Sequence, residues 1–195
     1  QQTSSRKYKR IGRKVGNMVV IMQMISVFFA VTVCVAMFRS LTTSMLKEQC
    51  TNGTSMLAYA LGQAEEGQDL NQLLDDLKNN MGCEFTIFEW DERVYTTIQQ
   101  NGSRVVGTKL SGDLAAIVLD RGESYVGRAE ILGVEHICSY IPTRDESGKV
   151  NGLLFAGISM EAAKEQINQT VKMACLVGAV AVILSILVMS FYIMR

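Results

Sequence analysis

The sequence predicts an α+β domain, five antiparallel strands packed on a long N-terminal helix, held between two membrane-spanning helices. Three observations lead there. Met18 to Phe38 and Met173 to Met194 run 21 and 22 residues without one Asp, Glu, Lys or Arg, and about 20 apolar residues cross a bilayer core as a helix. Apolar positions between 41 and 81 recur at helical spacing. After Gly82 the period shortens to two, as in strands. The chain divides into a tail at 1–17, a first span at 18–38, a domain at 39–172 with its strand-rich core at about 83–158, and a second span at 173–194.

Each element has a local cause. Leu41, Met45, Met56, Leu57, Ala60, Leu61 and Ala64 form a stripe that carries the first helix outward, with a break expected at Gly53. Gly67 interrupts it. Asp69, followed three residues on by Gln72, has the capping-box pattern and opens a short helix. Leu70, Leu73, Leu74 and Leu77 share one face of that helix, and Asn79, Asn80 and Gly82 end it. Cys83–Trp90 and Arg93–Ile98 read as strands about an Asp91-Glu92 turn. Asn101-Gly102 marks a loop. Ser111 is placed to cap a helix bearing Leu114, Ile117 and Val118, stopped by Gly122. Tyr125–Leu132, a turn at Gly133, His136–Thr143, a turn at 145–148 and Val150–Ile158 complete the sheet. Residues 153–158 show no alternation, so the last strand is expected at the centre, covered on both faces. From Ser159 a polar helix runs into the second span.

The net charge of zero hides a segregation. Arg6, Lys7, Lys9, Arg10, Arg13 and Lys14 precede the first span with no carboxylate among them, and Arg195 follows the second. All 19 carboxylates fall in 39–172, against 12 Lys and Arg there, which leaves that segment at −7. Basic flanks stay cytoplasmic, so both termini are expected inside and the domain outside. The first run is too long for the core of a cleaved signal peptide. The basic tail reads as a topology signal and a contact for anionic lipid. An acidic domain without a basic stripe argues against a nucleic-acid partner. A chain that starts at Gln1 and stops just past a span is expected to continue into the cytoplasm.

Catalysis would need a nucleophile with a base and an orienting group, or a metal cluster. His136 is the one histidine, and no Cys-x-x-Cys, Gly-x-Ser-x-Gly or P-loop pattern occurs. No enzyme activity, metal site or cofactor is therefore expected. A binding site has better support. Arg93 opens the second strand, and simple alternation puts Tyr95 and Thr97 on its face with Thr96 opposite. A guanidinium matches a carboxylate bidentately, with hydroxyls for the remaining lone pairs. The bland alternative for Arg93 is a solvated side chain beside a turn.

The strand order resembles the single Cache domain, the extracytoplasmic PAS-like sensor of bacterial receptors. The resemblance rests on Thr86-Ile87-Phe88, Arg93-Val94-Tyr95-Thr96-Thr97, Val106-Gly107-Thr108 and Gly122-Glu123-Ser124-Tyr125-Val126-Gly127. It continues in Tyr140-Ile141-Pro142 and in the run from Gly148 to Ile158. The match is to the subgroup common in methyl-accepting chemotaxis proteins, with two departures. His136 stands where Tyr is usual, and Thr143 where Leu is usual.

The resemblance implies a small ligand, often a carboxylate, held between the sheet and the segment joining its second and third strands. The candidate contacts are Arg93, Thr97, Tyr125, His136 and Tyr140, with core packing the alternative for the tyrosines and a rim position for His136. It further implies a homodimer in the bacterial inner membrane that passes a helix displacement to a cytoplasmic chemotaxis kinase and adaptor. A histidine kinase or diguanylate cyclase output, or a tethered interaction module without ligand, are the other readings. Gly178, Ala179, Ala181 and Ser185 in the second span would allow close helix approach. Of the external cysteines, Cys83 and Cys138 fall on strands and could face each other, with free buried thiols favoured. Cys50 could link two subunits.

Overall fold

The computed structural model describes residues 2–65 and 67–194, with side chains for 14–65, 67–161, 164, 165, 167–188 and 191. The basic cluster from Arg6 to Arg13 and the terminal Arg195 lie outside the described side chains. The chain forms two compact units, Thr42–Ala163 and the pair Gln1–Leu41 with Lys164–Arg195.

Helix α1 (Gln2–Gln63) is unbroken. The break in the apolar stripe near Gly53 does not interrupt the helix, and the glycine serves contact. A Cβ there would lie 3.1 Å from Ala156 Cβ and 3.3 Å from the Phe85 ring, so the missing side chain lets α1 sit close on the sheet. Helix α2 (Leu70–Met81) starts where the Asp69 carboxylate accepts from the backbone N–H groups of Asn71 and Gln72. It ends at Gly82 in the left-handed conformation, φ 66°.

The sheet contains β1 (Glu84–Glu89), β2 (Glu92–Thr96), β5 (Tyr125–Ile131), β6 (Val134–Arg144) and β7 (Val150–Ser159), all antiparallel, in the order β2-β1-β7-β6-β5. The short hairpin of β3 (Gln99–Gln100) and β4 (Ser103–Arg104) turns at Asn101-Gly102. Both turn residues have positive φ, 53° and 79°, as a two-residue hairpin turn requires. Strand β7 is central and buried from Gly152 to Gly157, as its unbroken apolar run requires.

Three local expectations are corrected. The β1–β2 turn is Trp90-Asp91, one residue earlier than the charged pair suggested, with Glu89 opposite Glu92. Strand β6 begins at Val134, directly after the Leu132-Gly133 turn, rather than at His136. The helix after Ser111 is a single α turn, α3 (Gly112–Ala115), that widens into a π-helical turn at Ala116–Asp120. Ser111 has the extended backbone of a cap, but its hydroxyl makes no capping bond.

The two sheet faces bury different cores. Leu57 of α1 and Leu74 and Leu77 of α2 pack with Cys83, Phe85, Leu154 and Ala156 on one face. On the other, Phe88, Cys138, Tyr140, Leu153 and Phe155 meet Ile98, Val118 and Leu119 of the segment between β2 and β5. Cys83 and Cys138 therefore stand on opposite faces, which removes the pairing their strand positions allowed.

In the other unit, Met18, Phe28, Phe29, Leu176 and Val188 are among many large apolar side chains left exposed. Its helices are long and apolar enough to cross a membrane, α1 through its N-terminal part and α4 (Met160–Met194) over Ile167–Val188. Gly178 faces Val27, whose Cγ1 would lie 3.1 Å from an added Cβ, and Ser185 bonds Gln23 at 2.6 Å.

Candidate functional site

The face opposite α1 carries a cavity of about 160 Å³ whose lining includes Arg93, Thr108, Leu110, Ser111, Leu114 and Tyr140. Arg93 reaches it through a β-bulge. The register shifts between Ile87 and Phe88, so Tyr95 opposes Ile87 while Arg93 opposes Phe88 two residues on, leaving Val94 as the extra residue. The bulge reverses the alternation. Arg93 lies over the Phe88 ring at 5.1 Å, while Tyr95 packs in the α1-side core. Thr96, expected opposite, bonds Thr86 at 2.7 Å and is fully buried.

Arg93 is only 6% exposed, so the solvated alternative is excluded. Its Nη1 donates to Thr108 Oγ1 at 2.5 Å, and the Thr108 hydroxyl in turn donates to the Val105 carbonyl at 2.9 Å. Its Nε is buried without a partner. No ion pair of Arg93 occurs among the described residues. Burial lowers its pKa, while the neighbouring Tyr140 acts the other way. Tyr140, 2% exposed, has its phenol pushed up by burial, so it is a neutral donor across the physiological range.

The 105–110 segment that roofs this cavity is pinned to the outer edge of β2. Arg93 N donates to Thr108 O, Gly107 N to Arg93 O and Leu110 N to Asp91 O, at 2.8–3.0 Å. Lys109 at the rim pairs with Asp91 at 2.9 Å. An anion entering here would meet a desolvated guanidinium with a free N–H and a phenol hydroxyl.

The structure brings together Arg93 and Tyr140 but not the other three candidates. Thr97 spends its hydroxyl on Glu84 and on Phe85 N, in a network that Lys78 closes with an ion pair to Glu84 at 2.7 Å. Tyr125 packs tilted against Tyr140 with centroids 6.2 Å apart, but its hydroxyl donates to Arg128 O. His136 lines a separate space of about 410 Å³ beside Glu84, Ser159 and Glu161, with Nδ1 protonated toward the Val134 carbonyl. Sequence reasoning missed Thr108 and Ser111. Thr108 was within reach, since Val106-Gly107-Thr108 is one of the motif pieces.

The family model described as single Cache domain 3 matches residues 65–170, about half of the chain. The chain belongs to the single Cache domain 3 family. Its Cache domain is thus a sensor domain, and the helix-backed five-stranded sheet is that fold. No curated protein matches the chain. Solved structures similar to it include the Escherichia coli DcuS sensor domain, at 16% identity over 66% of this chain and 98% of that one, TM-score 0.48. A sensory box sensor histidine kinase from Vibrio cholerae follows at 14% identity over 52% and 93%, TM-score 0.32. The PAS domain of Bordetella pertussis BvgS has 13% identity over 51% and 96%, TM-score 0.27. Nothing about ligand or output follows from likenesses at this level.

Proposed function

We propose that the Cache domain binds a small organic monocarboxylate and reports its presence through α4. The carrying observation is the buried Arg93 guanidinium, partnered by one hydroxyl, with Nε unsatisfied beside a cavity of about 160 Å³. A buried charge left in that state is costly, and an incoming carboxylate relieves the cost. Size and charge narrow the class. A cavity of about 150 Å³ holds a molecule of roughly six heavy atoms. Lys109 is already paired at the rim, so among the described lining residues a second carboxylate has no free cation to meet. The carboxylate bonds Arg93, with Tyr140 donating to it and Leu110 and Leu114 covering the alkyl part.

The output proposed is that of a methyl-accepting chemoreceptor, supported by the motif order from Thr86 to Ile158, with the domain outside the cell as the charge segregation indicates. Such a receptor works as a dimer and passes the displacement of α4 to a cytoplasmic kinase and adaptor.

The test uses the full chain in detergent micelles, titrated calorimetrically with acetate, propionate, lactate, pyruvate, succinate and amino acids. At least one monocarboxylate should bind, and Arg93→Met should weaken that binding about 100-fold. Binding by none, or binding unaffected by Arg93→Met, would overturn the reading.

A further inference from the structure

Two thiols outside the ligand cavity are brought together by the fold. Cys50 on α1 and Cys83 at the start of β1 are 0% and 1% exposed. The β1–β7 register sets Glu84 opposite Gly157, so its continuation sets Cys83 beside Ile158, and Ile158 in turn opposes Ile137. These three residues form one row across the sheet, facing α1, and Cys50 lies on that row. Its Sγ is 3.2 Å from the Ile137 carbonyl, and it packs with Ile137, Ile158 and Met160. The preceding residue fixes the same turn of α1 against the chain before Cys83, as Gln49 Nε2 donates to Met81 O at 2.7 Å. Cys83 Sγ approaches that same carbonyl at 3.7 Å. The Cys50 thiol is raised well above its ordinary value, first by contact with the Cys83 thiol and then by burial.

We propose that Cys50 and Cys83 are a modification site, an intramolecular disulfide formed by a small-molecule disulfide oxidant, which staples α1 to the leading end of β1. One thiolate attacks oxidised glutathione, forming a mixed disulfide and releasing one glutathione. The second thiol attacks the protein sulfur of that mixed disulfide, closing the bridge and releasing the other glutathione. Two protein thiols are oxidised, one disulfide is reduced, and the two protons end on the two glutathiones. The bridge closes a loop of about 33 residues, long enough for a large effect on the unfolded chain. Cys138, on the far face and pushed up to about 12 by burial, takes no part. The proposal is independent of the carboxylate reading, and neither fails with the other.

The full chain in detergent micelles is incubated with oxidised glutathione just below its unfolding midpoint. Free thiols are then alkylated, and the digest is mapped by mass spectrometry. A peptide pair joined through Cys50 and Cys83 is expected in the wild type and in Cys138→Ser, and absent in Cys83→Ser. Oxidation should raise the wild-type Tm by on the order of 10 °C and leave Cys83→Ser unmoved. Both thiols remaining open to alkylation in the unfolded digest overturns the proposal. So does a bridge from Cys83 to Cys138, or one confined to Cys50 of two chains. The peptide map of wild type and Cys138→Ser decides the matter even if Cys83→Ser does not fold.

Discussion

Replacing Arg93 by Met separates binding from stability, because the residue is in tension between the two. A hydrogen bond to a charged group contributes about 1.5–3 kcal/mol, and truncating one partner of a buried charged pair costs about 2–5 kcal/mol. Taking about 3 kcal/mol, the monocarboxylate dissociation constant should rise about 100-fold. The ligand-free protein should respond in the opposite sense. Arg93 has an unsatisfied Nε and no ion pair among the described residues, and an apolar isostere at such a site is neutral or stabilising. Thermal unfolding displays both effects at once. Ligand at 100 times its wild-type dissociation constant adds about 2.7 kcal/mol of stability, a Tm rise on the order of 10 °C for a domain of this size. In the variant the same concentration only matches the dissociation constant and adds about 0.4 kcal/mol, a rise of about 1–2 °C. An Arg93→Met chain whose ligand-free Tm falls by more than about 5 °C while the ligand shift persists would refute the reasoning. Arg93 would then be a structural residue.

Other consequences follow from the same geometry. Thr108→Val removes the hydroxyl that accepts from Nη1 and holds the guanidinium in place, and should weaken carboxylate binding by roughly fivefold, since one such bond contributes about 1 kcal/mol; calorimetry checks it. Arg93 and Tyr140 hold their protonation states through neutrality, so affinity should be flat from about pH 6 to 8. A clear change of affinity within that window would overturn this assignment of the two groups. Asp145 is held below the ordinary carboxylate range by bonds from Ser147 and then from the Lys149 and Ser147 backbone. Its contribution is complete above its unfolded value of 3.8 and is lost as pH falls through its lower folded value. The Tm gap between wild type and Asp145→Ala should accordingly close in acid below 3.8. Gly53→Leu drives atoms beyond a Cβ already 3.1 Å from Ala156 and should cost about 1–3 kcal/mol, read as a fall in Tm.

Much of the fold was legible because its signals are local. Asp69 and Gly82 bound α2 through side-chain capping and a left-handed residue, and both are written in the sequence. The unbroken apolar run of β7 could only be a central strand. The first separation among the candidate site residues comes from the strand register. Register is a property of two strands, and no glycine or proline announces the bulge opposite Phe88. Plain alternation therefore put Thr97 beside Arg93, when the extra residue at Val94 turns them apart. His136 lies apart for another reason. It is four residues along β6 from Tyr140, about 13 Å, so being on the same face did not make it part of the same cavity. Thr108 owes its place to backbone bonds between a loop and the edge of β2, which side-chain pattern cannot report.

The cavity has a direct mechanical neighbour in the central strand. Tyr140, which lines the cavity, packs tilted against Phe155 of β7 with ring centroids 5.0 Å apart. The Phe155 ring covers Gly157, where an added Cβ would overlap it, so the ring packs directly on the strand backbone. Two residues further on β7 ends at Ser159, whose hydroxyl accepts from Glu161 N in the first turn of α4. Under the proposed function, a ligand that draws in Tyr140 acts through Phe155 and the strand on the start of α4, provided it prefers one of two packings of these rings. Phe155→Leu preserves most of the volume at a cost of roughly 1 kcal/mol but removes the ring contact with Tyr140. In a chimera joining residues 1–195 to a chemoreceptor signalling domain, that variant should keep its carboxylate affinity within about threefold and lose most of its response at saturating ligand. A Gly-Gly insertion near Gln166 should give the same split, acting after the strand instead of before it. Full response from Phe155→Leu with silence from the insertion would locate the coupling in α4 but route it around the aromatic pair, most directly through the β6–β7 backbone ladder.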